Sequence, residues 1–245
     1  MIKFNLINLF VPKGSPTFAE KMSNPAFMSV CFEGERRELR SLYSKMKRLQ
    51  EREKPLVENG FYYPTRWLGN LVTRLGGDTR EVYCRGTWSD LRLSEKCLSF
   101  FTETAWQPPV TLLKLIQKCY PSVSFYFEAE GDDWDTYLTN DAEGKYFSSR
   151  YIVDCEPDME YFDTIEEASN YLSAYIGKPV AATWQSLNEA TDEWNDEHPD
   201  TDWAINVKQI EVVSQFWHQF AEHVAAAGKA VQQQDCWVSV FPASR

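Results

Sequence analysis

Between residues 27 and 130 the apolar residues switch between a period of about 2 and one of about 3.6, and the order of those periods limits the folds open to this chain. Residues 27–32 are strand formers ending at Glu33-Gly34, a turn signal. Residues 35–52 contain no Gly or Pro, and Leu39, Leu42, Met46 and Leu49 recur three and four apart, so the spacing predicts a charged helix with one apolar stripe. It ends before Pro55. Residues 80–88 and 97–104 read as two strands of an antiparallel hairpin around Ser89-Asp90. Pro108-Pro109 opens a second helix, carried by Val110, Leu113 and Ile116 and stopped by Pro121. Val123, Phe125, Phe127 and Ala129 then alternate with Ser124, Tyr126, Glu128 and Glu130, which marks a strand with one buried face.

Strand, helix, strand, strand, helix, strand is the βαββαβ order. The expected fold class is α+β, a split sandwich with an antiparallel sheet and both helices on one face. Residues 55–80 interrupt it as an insertion with a short helix at 67–75, closed by Gly76-Gly77. Alternation in the first ten residues predicts an N-terminal edge strand, so the first domain is expected to run from 1 to 138.

Residues 139–245 are expected to form an acidic, partly helical extension packed on that domain. A hairpin is expected from 134–138 and 145–153. Asp163-Thr164-Ile165-Glu166 offers a capping box for a helix to Ile176, with Gly177 as its stop. Residues 186–197 read as a short acidic helix or loop. Residues 207–232 read as the longest helix, and 236–241 as a closing strand. From Tyr151 onward there are 4 Lys and Arg against 17 Asp and Glu, a net of −13, while the first 150 residues carry +2. That distribution disfavours direct binding to nucleic acid or an anionic membrane.

No run approaches the roughly 18 apolar residues of a membrane span. The first 14 residues lack a small-residue cleavage pattern, so a cytoplasmic, reducing compartment is expected. Cys31, Cys84, Cys97, Cys119, Cys155 and Cys236 are scattered without a CxxC pair and read as buried thiols, with neither zinc nor an iron–sulfur cluster implied. No cofactor is expected.

The run Phe100-Phe101-Thr102-Glu103-Thr104-Ala105-Trp106-Gln107-Pro108-Pro109, followed by a helix and by Tyr126-Phe127-Glu128-Ala129-Glu130-Gly131, resembles the ferredoxin-like domain of the YubB family over residues 24–138. Tyr83-Cys84-Arg85-Gly86-Thr87-Trp88 and Phe32-Glu33-Gly34 are similar to that family's aromatic strand and first strand exit. The Thr-x-Trp-x-Pro-Pro core is one residue longer here, and the acidic extension has no counterpart in the pattern. The resemblance implies a fold and a source among plasmids, phages and bacterial genomes. It implies no catalytic residue and no cluster ligands.

Four residues are candidates for a binding site: Trp88, Trp106, Glu128 and Glu130. The two glutamates share a strand face about 6.5–7 Å apart, close enough for acid–base work or hard-cation binding, but the expectation is that they form the solvent face of an edge strand. The tryptophans stand at sheet ends, as core plugs or as recognition surfaces. His218 and His223 are five apart on a helical pattern, the wrong interval for a metal pair, and His198 lies in an acidic turn. From Glu189 to Asp202 seven carboxylates are interspersed with Trp194 and Trp203. The expected function is a non-enzymatic binding or accessory protein with a protein partner. The alternatives are an acidic nucleic-acid mimic that occupies a basic DNA-binding protein, and a carboxylate enzyme or metal-binding protein using Glu128 and Glu130.

Overall fold

The computed structural model describes residues 25–57, 64–131, 136–156, 158–201 and 203–213. The expected strands at 1–10 and 236–241, His218, His223 and Cys236 lie outside these. The described chain is mixed α+β, with five helices and sheets of six and three strands.

Strand β1 (Pro25–Glu33) is central: it pairs antiparallel with β3 (Cys97–Ala105) on one side and β4 (Ser124–Gly131) on the other. Its Met28, Val30 and Phe32 face a core into which helix α1 (Arg36–Gln50) buries Leu39, Leu42, Met46 and Leu49, the stripe read from the sequence. Helix α3 (Val110–Cys119) adds Leu112, Leu113 and Ile116 to the same core. Helix α2 (Leu68–Arg74) lies in the insertion but belongs to that core through Leu68, Leu71 and Val72. Buried Asn70 ties the insertion down, its amide donating to Thr65 O and accepting from Val57 N.

Strand β2 (Gly86–Leu93) begins later and runs further than the sequence suggested. Asp90, with φ 51°, sits in an irregularity between Ser89 and Arg92 that lets the strand continue through the expected turn. Gly86 is required where it stands: a Cβ there would lie 2.1 Å from Glu103 O across the ladder. The large sheet runs β2-β3-β1-β4-β5-β9, with β5 (Thr136–Thr139) antiparallel to β4 and β9 (Glu211–Val212) parallel to β5.

The expected hairpin of 134–138 with 145–153 does not form, because β5 pairs with β4 while residues 145–150 run as a loop. Two ionic side chains staple that loop. Asp141 accepts from Tyr146 N at 2.6 Å and Phe147 N at 3.0 Å. Arg150 donates to Phe147 O, Ser149 O, Asp141 O and Ala142 O.

Strand β6 (Tyr151–Cys155) is the middle of the second sheet, β7-β6-β8, between β7 (Asp158–Phe162) and β8 (Asn206–Gln209). Period-2 alternation gives that sheet two buried faces. Val153 and Cys155 pack with Ala168 and Leu172 of α4 (Ile165–Ile176) and Leu187 of α5 (Trp184–Glu197). Ile152, Met159 and Tyr161 pack with Tyr137 of the large sheet and with Ile210. The layers therefore run α1–α3, large sheet, small sheet, α4–α5. The expected helix from 207 is replaced by β8 and β9 with Ile210 between them, and residues 214–232 lie outside the described residues.

Helix α4 is capped by Thr164 and Glu167, one residue later than expected. The Asp163 carboxylate instead accepts from Ser148 Oγ at 2.9 Å. Gly177 closes the helix at φ 71°, as expected of a C-terminal glycine. Residues 184–197 are fully helical. Cys31, Cys84, Cys97 and Cys155 are buried thiols, but Cys119 is exposed on the last turn of α3.

Candidate functional site

The alternation of β4 puts Tyr126, Glu128 and Glu130 on the face turned away from α1 and α3. Glu128 stands between Ser29 of β1 and Thr139 of β5, and Glu130 between Phe27 and Tyr137. The expectation that both glutamates face solvent on an edge strand fails for Glu128. Strand β4 is interior, and the small sheet covers this part of its back face, leaving Glu128 only 7% exposed. Periodicity tells which residues share a face, not what later chain lies over it.

Burial pushes the Glu128 carboxyl up to about 7; Arg150 pulls against that rise and Glu130 adds to it. Tyr161, on the small sheet, has its hydroxyl raised by burial and by the charges of Glu130 and Glu128, and donates it to Met159 Sδ at 3.3 Å. The Tyr137 hydroxyl donates to Glu130 Oε1 at 3.4 Å, and Lys208 Nζ lies 5.1 Å from the Tyr137 ring centre. The sequence reading missed Arg150, Tyr137 and Tyr161. Only Arg150 left a signal, as the last arginine before a long acidic stretch.

Next to this cluster, Glu33 accepts from Lys145 Nζ at 2.6 Å and from the Tyr146 hydroxyl, and these contacts hold its carboxyl below the usual range against its partial burial. The Cys31 thiol beneath them is raised by burial and by Cys97 beside it, so it stays protonated.

The tryptophans do not join the glutamates. Trp88 is 0% exposed and opposite Thr102, on the helix-covered face, as a core plug. Trp106 is half-buried at the end of β3, with φ 70° at the centre of a γ-turn closed by Gln107 N donating to Ala105 O at 2.8 Å. His198 stacks on Trp194 at 4.2 Å, at the end of α5. Among the described residues no group of three or more His, Cys, Asp and Glu is placed to hold a metal ion. No described helix is long and apolar enough to cross a membrane.

The second candidate is the outer face of α5. Glu189, Asp192, Glu193, Asp196 and Glu197 are all exposed, and at about 100° per residue they occupy an arc of about 140° opposite buried Leu187 and Thr191. The helix contains no Lys or Arg; Lys178, from the turn after α4, reaches Glu193 at 3.3 Å and Glu197 at 3.2 Å. Trp184, 38% exposed, opens the helix on its buried side near the Tyr151 ring, and Trp203, 40% exposed, lies beyond its end.

No family model matches the chain, and no curated protein does. Among solved structures it is similar to a crystal structure of an unknown protein from Galdieria sulphuraria, 9% identical, covering 78% of this chain and 100% of that one with a TM-score of 0.23. A likeness that slight carries no argument about fold or function.

Proposed function

We propose that the chain is a non-enzymatic binding or accessory protein that offers the outer face of α5 to a basic surface on a protein partner. The observation that carries this reading is the single-sign stripe on α5. Like charges four apart on a helix destabilise it by a few tenths of a kcal/mol each, and Glu189–Glu193, Asp192–Asp196 and Glu193–Glu197 are all such pairs. Such a stripe steers a cationic partner, and exposed Trp203, after the helix, adds apolar surface that charges alone lack. Carboxylates spaced about 6 Å apart along the helix support the narrower version, in which the partner is a DNA-binding protein and the stripe takes the place of phosphates.

The same reading takes residues 25–131 as a ferredoxin-like sandwich of the YubB kind, working in a reducing cytoplasm. Its support is the neighbour order β2-β3-β1-β4, antiparallel throughout, with α1 and α3 sharing one core. Four thiols packed as core residues support the compartment. A carboxylate enzyme is disfavoured because, among the described residues, the glutamate with a pKa raised to about 7 is buried between the two sheets. The test is affinity capture from the source cell at about 50 and 500 mM salt. Basic proteins retained at low salt and released at high salt are expected; a partner set indifferent to salt contradicts the reading.

A further inference from the structure

We infer that the joint between the six-stranded and three-stranded sheets is proton-linked, closed while Glu128 carries its proton and loosened when Glu128 ionises. The inference is independent of what binds α5.

The geometry gives ionised Glu128 little to replace water. Its neighbours across the ladder are Ser29 and Thr139, and the Thr139 hydroxyl is already donated to Phe127 O at 2.8 Å. On its own strand and face the neighbouring titratable groups are Tyr126 and Glu130, the latter a like charge already accepting from Tyr137. On the small sheet Tyr161 feels the charge of Glu128 and of Asp154 on β6, another negative group, while its hydroxyl is donated to Met159 Sδ. From β8, Lys208 sits over the Tyr137 ring. From the loop before β6 comes Arg150, whose guanidinium is committed to four carbonyl oxygens and acts on Glu128 only through its field. Among the described residues no hydrogen bond or ion pair reaches the Glu128 carboxylate, and a buried carboxylate so placed favours its neutral form.

The joint itself is thin enough to respond. Its apolar contact is Tyr137 on one side against Ile152, Met159, Tyr161 and Ile210 on the other. The chain passes between the sheets at Ile210, between β8 and β9, and β9 contributes a ladder of two residues. Full solvation of Glu128, now 7% exposed, is resisted by these side chains, whereas the core under α1 and α3 is a separate cluster, and among the described residues neither buried carboxylate, Glu128 or Asp141, belongs to it.

The test is amide hydrogen exchange on the full chain at pH 5.5 to 8, corrected for the intrinsic pH dependence of exchange. With the Glu128 carboxyl near 7 against an ordinary 4.5, protection at Tyr137–Thr139, Ile152 and Tyr161 is expected to fall by roughly 30-fold across that range while Val30 and Leu113 hold theirs. In Glu128→Gln the joint amides are expected to keep their protection at every pH. Unchanged protection in the wild type, equal loss at Val30 and Leu113, or the same loss in Glu128→Gln would each overturn the inference. A 13C titration of the wild-type glutamate carboxyls decides the point should the variant fail to fold: a Glu128 midpoint near neutrality supports the joint, and one in the ordinary carboxylate range refutes it.

Discussion

Replacing Arg150 by Met removes a side chain that donates to four backbone carbonyls while keeping most of the side-chain volume. Arg150 Nη1 donates at 2.8 Å to Phe147 O and 2.7 Å to Ser149 O, and Nη2 at 2.6 Å to Asp141 O and 3.3 Å to Ala142 O. Hydrogen bonds to a charged group contribute about 1.5–3 kcal/mol each. Three of the four are short, but Arg150 is only half-buried, so water replaces part of what is lost. Discounting by about half, the expected loss is ~2–4 kcal/mol, a large share of the ~5–15 kcal/mol typical of a domain. The assay is urea unfolding followed by tryptophan fluorescence, with the slope checked for two-state behaviour. Arg150→Lys keeps the charge but offers one compact donor group, and should recover less than half of the loss. Because Arg150 holds the Glu128 carboxyl down, Arg150→Met should also move the Glu128 titration to higher pH. A loss below about 0.5 kcal/mol, or full recovery by lysine, would refute the account of this loop.

Glu128→Gln should flatten the pH dependence of stability. The native state keeps the Glu128 proton up to about pH 7, while the unfolded chain releases it near 4.5, so wild-type stability is full below 4.5 and falls as pH rises through 7. The variant should be ~3 kcal/mol more stable than wild type at pH 8 and nearly equal at pH 4, measured by urea midpoints. Thr164→Ala breaks the capping box of α4, in which the Thr164 hydroxyl accepts from Glu167 N at 3.2 Å, and should cost ~1 kcal/mol in the same assay. Gly177→Ala, with φ 71° and no atom within 4 Å, should cost ~1 kcal/mol from backbone strain alone. Gly86→Ala drives a Cβ into Glu103 O and should lower the yield of folded protein, read by size-exclusion elution.

What was legible in the sequence was local. The stripe Leu39, Leu42, Met46, Leu49 fixed the buried face of α1, and the alternation of residues 123–130 correctly placed Glu128 and Glu130 on one face. What covers that face is decided by residues 151–210, a contact between distant segments that no local period reports. The same limit explains residues 207–213. Val207, Ile210 and Val213 recur every three residues like a helix, but β8 pairs with β6 more than fifty residues earlier, and that ladder decides the conformation. At the start of α4 the stretch Asp163–Glu167 contains two overlapping capping boxes. Tertiary structure chose between them by engaging Asp163 with Ser148. The acidic stripe of α5 was legible as composition, but its confinement to one arc emerged only once residues 184–197 proved helical throughout.

The central claim is that this arc is a binding surface, and the most direct measurement compares capture by the wild type with capture by E189Q/D192N/E193Q/D196N/E197Q at about 50 mM salt. All five side chains are exposed and opposite the buried face, so the variant should fold with unchanged or slightly raised stability, checked by circular dichroism. The account predicts that quantitative mass spectrometry recovers a set of basic proteins with the wild type and loses it at least tenfold with the variant. An undiminished set with the folded variant, or no enriched basic protein with the wild type, would contradict it.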